Sequence, residues 1–267
     1  MTLRPPSVAG TFYPGRPREL RSAIESYWKP AQGSAALAVI VPHAGYRYSG
    51  PVAGAAYSAV SVPRDVVLLC FHHRGRGAPF AIWPPGAWAT PLGEVPVQEA
   101  LARRIREAFP LASFDEEGHR DEHSGEVQLP FLQVARPDVR IVPVALSVGL
   151  SAAKELADFG RALAGVLRDE LVVCSTDLNH YEDQETTLAK DRKVIEPMEA
   201  LDDRGLTRAI VEEDVSMCGF APAIATLAYA KARGARRGET LVHQTSGDTG
   251  GDYDRCVGYV GMRICGN

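Results

Sequence analysis

Residues 37–50 read LAVIVPHAGYRYSG. The apolar run Leu37 to Val41 is strand-like, and Pro42 stops it. A strand is therefore expected at 36–41. It delivers His43 into a turn of small residues, followed by Tyr46, Tyr48 and Gly50. An imidazole at the carboxyl end of a buried strand stands where open α/β sheets gather their ligand chemistry.

The chain on either side alternates strands and helices. Before the strand comes a Pro- and Gly-rich arm, 4–15, and a helix at about 16–28 with Leu20, Ile24 and Trp28 on one face. After it, GPVAGAAYSAV (50–60) reads as a small-residue helix that can sit close to a sheet. DVVLLCF (65–71) is apolar throughout, as a central strand buried on both faces would be. It ends at His72, His73 and the loop RGRGAP. A strand at 80–83, a loop through Trp88 and TPLGEVPV, and a helix at 97–109 come next. HRDEHSGEVQLPFL (119–132) is polar and then apolar, with Ser124 placed to cap a helix from Gly125. Strand 140–146, helix 151–168, strand 171–175, a polar helix at about 185–201 and a helix at about 221–233 lead to a strand near 240–244. The loop SGDTGGDYD and the alternating strand CVGYVGMRI close the chain. The expected architecture is a three-layer α/β/α sandwich on a largely parallel or mixed central sheet, in one domain spanning 1–267.

Composition narrows the function classes. The chain has 267 residues, a net charge of -4, 45% hydrophobic and 23% charged residues, which suits an enzyme-sized globule. No long basic run suggests a nucleic-acid footprint, and RGR at 74–76 is too short to act as one. The apolar runs are strand-sized, so no membrane span is expected. The start lacks an apolar signal core. Five scattered cysteines, an odd number, suit reduced thiols and a cytoplasmic location.

Three strand ends carry chemistry: Pro–His43, His72–His73, and Asp177-x-x-His180 after LVVCS. Carboxyl ends of parallel strands share one edge, so these side chains can meet in a crevice. Adjacent histidines in an extended chain face opposite sides, so one of His72 and His73 is expected there. Cys218, in SMCG just before a helix, adds a thiol whose pKa a helix amino terminus would lower. Two imidazoles and a thiolate make a facial set with open positions, suited to iron, copper or zinc. Asp177 and His180 can orient a ligand side chain from behind or act as a general acid/base. Each signal has a plainer reading: a structural histidine, a packed thiol, an aspartate helix cap. The cluster Glu122, His123, Glu126 also reads as a capped helix start.

The motifs VAGTFYPG, VPHAGYRYSG, LLCFHHRGRGAP, TPLGEVPV, DEHSGEVQLPFL, VVCSTDLNHY, SMCGFAPAIATL and SGDTGGDYDRCVGYVGM resemble, in order, those of the Memo family and span nearly the whole chain. That family is similar in fold to the catalytic subunit of class III extradiol dioxygenases, which are non-haem iron(II) enzymes. The resemblance implies a metal held by His43, His73 and Cys218, with His72 competing for the second place. It implies that Asp177 and His180 line the site, with His180 as acid/base; in a redox reading of that site Asp177 orients His180, Tyr46, Tyr48 or Trp83 shapes the pocket, and Tyr46, Tyr48 and His123 stand against a substrate. Iron(II) is the expected cofactor, with copper and zinc as alternatives.

The dioxygenases use a carboxylate where this chain has Cys218, so ring cleavage does not carry over directly. The function expected is a metal-dependent redox protein of unknown substrate. The alternative is a non-catalytic binding or scaffold protein that recognises a peptide or small ligand in the same crevice, and a zinc hydrolase is a third reading. The resemblance further implies a functional link to a radical-SAM protein and an AMMECR-type protein.

Overall fold

The run Asp65–Phe71 sits at the heart of the sheet, with Val66 through Cys70 inaccessible to solvent. Burying each large aliphatic of such a strand is worth about 1.5–3 kcal/mol, which is why an unbroken apolar run takes this position. The computed structural model describes residues 2–28 and 33–266. In chain order the elements are β1 (Thr2–Arg4), α1 (Pro17–Tyr27), β2 (Ala38–Val41), α2 (Tyr46–Ser58), β3 (Asp65–Phe71), β4 (Phe80–Ile82), β5 (Gly86–Thr90) and β6 (Gly93–Pro96). Then come α3 (Glu99–Ala108), β7 (Ala112–Phe114), α4 (Leu129–Ala135), β8 (Arg140–Leu146), α5 (Ala153–Val166), β9 (Leu171–Ser175) and β10 (His180–Glu182). Last are α6 (Gln184–Glu199), α7 (Asp203–Glu212), α8 (Phe220–Ala232), β11 (Glu239–Thr245), α9 (Ser246–Gly250) and β12 (Cys256–Ile264).

The main sheet runs β10-β12-β2-β9-β3-β8-β4-β7, with β11 added to β12. Its middle, β2-β9-β3-β8, is parallel, while β12 joins β2 and β4 joins β8 antiparallel. The fold is thus a mixed α/β sandwich whose parallel centre sends the ends of β2, β3 and β9 to one edge. Helix α2 packs on β2, β11 and β12, and α8 packs on β2, β3 and β9. Helix α5 crosses α8 closely, because a side chain at Gly160 would fall 2.1 Å from the Ala225 carbonyl. No helix among the described residues is long and apolar enough to cross a membrane.

Several expected boundaries move. Helix α2 starts at Tyr46, so Tyr46 and Tyr48 lie in its first turn and not in the loop before it. Ser124 caps nothing: its hydroxyl donates to the Phe71 carbonyl at 2.7 Å, and a 3-10 turn, Glu126–Gln128, precedes α4. The stretch through Trp88 and TPLGEVPV forms the hairpin β5–β6, with β1 parallel to β5. Helix α7 follows the polar helix as a separate element. The SGDTGGDYD segment opens as the short helix α9, because Thr245 and Asp248 cap it reciprocally.

The amino-terminal arm is fastened by a buried ion pair. Arg4 Nη1 lies 2.7 Å from Glu126 Oε2, and the Arg4 guanidinium sits 4.2 Å over the Trp88 ring. Glu126 also accepts from the Ser7 N–H and hydroxyl, the Val8 N–H and the Tyr13 hydroxyl. Burial alone would raise the Glu126 pKa, but the Arg4 charge and the N–H groups of Ser7 and Val8 outweigh it and hold it below 4.5. Glu126→Gln should therefore cost about 3–5 kcal/mol near neutral pH, the usual penalty for breaking a buried pair. A carboxylate whose folded pKa is depressed contributes stability above its unfolded value and loses it as pH falls through the folded value. Urea unfolding should show the gap between wild type and variant narrowing below pH 4.5. A gap unchanged down to about pH 3 would show that ionised Glu126 is not the fastener.

Candidate metal centre

Strand β2 carries His43 just past its end, β3 carries His72 and His73, and β9 carries Asp177, with His180 at the start of β10. The turn before α8 brings Cys218 against them. That turn depends on Gly219, where a Cβ would meet Thr176 Cβ at 2.4 Å and the Ser175 carbonyl at 2.6 Å. Only a glycine lets the chain pass so close to the end of β9.

Ligand-capable atoms of His43, His73 and Cys218 lie within 4.8 Å of one another. Two overlapping groups meet the same test: His73, Glu122 and His123, and Asp177, His180 and Cys218. All but Glu122 line a single crevice of about 580 Å³, with Phe12 and the exposed Tyr181 on its wall.

Burial disfavours charge on several of these groups. His43 is buried, and desolvation, followed by the neighbouring His123 and His73, pushes its pKa well below 6.5. Its backbone N–H donates to Asp177 Oδ1 at 2.7 Å, its Nδ1 lies 3.0 Å from Ser175 Oγ, and its Nε2 lies 3.1 Å from Cys218 Sγ. Burial raises Asp177 to about 7 in spite of the His43 N–H it accepts. Burial lowers His123 to about 4, and it lowers His180 as well. His123 stacks on His73, ring centroids 4.6 Å apart.

Glu122 is the exception. Burial alone would raise its pKa, but the hydrogen bond and charge of His73 outweigh that and hold its carboxyl well below the usual range. It accepts from the His73 N–H at 2.8 Å and meets His73 Nδ1 at 3.0 Å. That contact leaves His73 Nε2 for a ligand.

The thiol departs from expectation. A helix start was expected to favour the thiolate, and the Gly219 N–H does pull that way. Burial, reinforced by the Asp177 charge, wins and pushes Cys218 well above 9. Of the two adjacent histidines, His73 faces the crevice. His72 is buried, and its Nδ1 accepts the Arg76 N–H at 3.0 Å. The expected substrate contacts divide. His123 lines the crevice, whereas Tyr46 is buried with its hydroxyl on the Val127 carbonyl. Tyr48 lines a neighbouring cavity of about 260 Å³, and Trp83 packs on Trp88 and His119. Asp177 does not hold the His180 ring: His180 Nδ1 is buried without a partner among the described residues, and its backbone N–H donates to Ser216 Oγ at 2.8 Å. Ser175, Gln128 and Gly219 escape sequence reading, although Ser175 stands at a strand end where such a residue could be sought.

A sequence model of the Memo-like protein family matches residues 4–263. The chain belongs to the Memo family. It is similar to MEMO1 family protein MK0963 of Methanopyrus kandleri, 40% identical over 97% of this chain and 98% of that one. It is also similar to a MEMO1 family protein of Aquifex aeolicus, 41% identical over 98% and 99%. Among solved structures, uncharacterized protein JW3007 of Escherichia coli K12 shares the fold, with a TM-score of 0.57 at 16% identity over 85% of this chain and 98% of that one.

In this Memo-family chain the crowding at Gly219 makes a test. Gly219→Ala should cost about 1–3 kcal/mol, as overpacking does. It should also lift the 216–219 turn, so that a thiol reagent labels Cys218 faster in the folded protein, as read by mass spectrometry. Unchanged labelling and stability would mean the turn has room to spare.

Proposed function

We propose that this protein is a metal-dependent redox protein that holds one transition-metal ion on His43 Nε2, His73 Nε2 and Cys218 Sγ. Iron(II) is the first choice, copper the second and zinc the third. The carrying observation is that donor atoms from three separate elements approach within 4.8 Å. The donor set fits such an ion: the buried His43 ring, held toward its neutral form, offers a lone pair, His73 adds a second imidazole, and a soft sulfur disfavours magnesium and calcium. When bound, the ion supplies a redox-active or Lewis-acidic centre with positions open to a ligand.

The chain's own groups supply the rest. Asp177, with a pKa near 7, can take or give a proton at Oδ2, 4.0 Å from His43 Nε2. His180 offers an unpartnered Nδ1 for the same work. His123 and Tyr181 wall the space a small-molecule or peptide ligand would fill. A cysteine-nucleophile mechanism is disfavoured, because an attacking thiol needs a lowered pKa and this one is raised.

Protein purified without oxygen should carry about one iron or copper per chain by elemental analysis, the stoichiometry of a single three-donor site. Cys218→Ser and His43→Ala should each lose most of it while remaining folded by circular dichroism. Metal retained in both variants would sink the assignment. The protonated state of the Cys218 thiol favours one second reading, a metal-free crevice that binds a peptide or small ligand. A folded wild type with no stoichiometric metal would decide for it.

A further inference from the structure

We infer that a hydrogen-bond relay through Gln128, Ser175 and the Ser124 carbonyl fixes His43 as its Nδ1–H tautomer, turning the Nε2 lone pair toward Cys218. Ser175 Oγ has three polar neighbours: the Ser124 carbonyl at 2.6 Å, Gln128 Nε2 at 2.9 Å and His43 Nδ1 at 3.0 Å. A hydroxyl has one proton to donate and two lone pairs to accept with. The carbonyl can only accept, so the proton lies on the Ser124 side. At 2.6 Å, two oxygens with no proton between them would repel.

The Gln128 side chain is oriented by its other partners. The atom facing Ser175 also lies 2.8 Å from the Pro42 carbonyl, so it must be the amide nitrogen, and the Tyr57 hydroxyl at 3.1 Å donates to the amide oxygen. The amide therefore donates to Ser175. With its proton committed to Ser124, the hydroxyl can only accept from His43, and His43 Nδ1 must carry hydrogen. Every group in this chain of contacts is buried, so water does not relax the choice.

The same backbone segment sets the second ring. The Ser124 N–H donates to Glu122 Oε1 at 2.7 Å, and Glu122, an acceptor at both oxygens, meets His73 Nδ1. One stretch, 122–128, therefore turns both imidazoles so that each presents Nε2. Ser175 and Gln128 are positioning residues: Ser175 touches the ring, Gln128 touches Ser175, and neither lines the crevice.

The tautomer is a property of the metal-free protein. Its consequence for a cation rests on the metal-centre reading above, and the two are separable. In metal-free protein labelled with nitrogen-15, long-range imidazole correlations should show His43 as Nδ1–H, assigned by the signals lost in His43→Asn. An Nε2–H wild type overturns the inference without any variant being needed. Ser175→Ala should give a mixture or the Nε2–H form, and Ser175→Thr, which keeps the hydroxyl, should restore Nδ1–H. Gln128→Met is a second, milder variant that frees the serine proton to turn, and it should give a mixture. A pure Nδ1–H ring in both Ser175→Ala and Gln128→Met would overturn the relay. Cobalt(II) affinity should fall about 10–100-fold in Ser175→Ala, as when the partner that orients a ligand is lost. A wild type that shows Nδ1–H yet binds no cobalt(II) leaves the relay standing and removes the metal reading alone.

Discussion

The carboxylate of Glu126 has no exposed surface and yet stays ionised, and the crevice is built around that fact. An unpaired buried charge would be ruinous, so five donor groups converge on it: the Arg4 guanidinium, the Ser7 N–H and hydroxyl, the Val8 N–H and the Tyr13 hydroxyl. On one side this ties down the arm, whose Phe12 carbonyl accepts the Tyr46 N–H at the start of α2. The Phe12 ring then packs on His123, centroids 4.7 Å apart. On the other side, Glu126 lies in the same turn as Glu122, Ser124 and Gln128, the residues that hold His73 and Ser175. A segment without regular helix is thereby made rigid enough to orient two imidazoles.

The crevice shows what low polarity does to a group of titratable side chains. His43 and His123 are pushed toward neutral imidazole, and Asp177 and Cys218 toward their protonated forms. Each shift disfavours charge, the signature of desolvation. Glu122 alone stays ionised, because two backbone N–H groups and a ring nitrogen meet it.

Much of this was readable in the chain, for physical reasons. Strands β3, β8, β9 and β12 stand where apolar or alternating runs placed them, since burial on both faces leaves little choice of residue. The convergence of His43, His73, Asp177 and His180 follows from parallel strands ending at one edge. The choice of His73 over His72 follows partly from strand alternation. What could not be read was settled by long-range packing. The hairpin β5–β6 is hidden by prolines and glycines that mimic a loop. Ser124 looks like a cap until the Phe71 carbonyl claims its hydroxyl. At Cys218 the pull of the helix start is real but smaller than the push of burial, which no local pattern reveals. Gln128 lies 47 residues from Ser175 in sequence, and nothing near either marks the contact.

Cys218 Sγ and His43 Nε2 stand 3.1 Å apart, close enough to share a proton. With Nδ1 carrying the ring's hydrogen, Nε2 can only accept, so the thiol can donate to it or to the Asp177 carbonyl at 3.7 Å. A cation bound by both atoms would occupy the place of a proton between them. The pair is then poised between two uses of the same geometry. Protonated, it is a neutral contact lining a crevice open to a ligand. Deprotonated, it would present an imidazole lone pair and a thiolate, with a ring nitrogen of His73 within 4.8 Å. The choice turns on whether a metal's affinity for sulfur exceeds the proton's in a pocket that penalises charge.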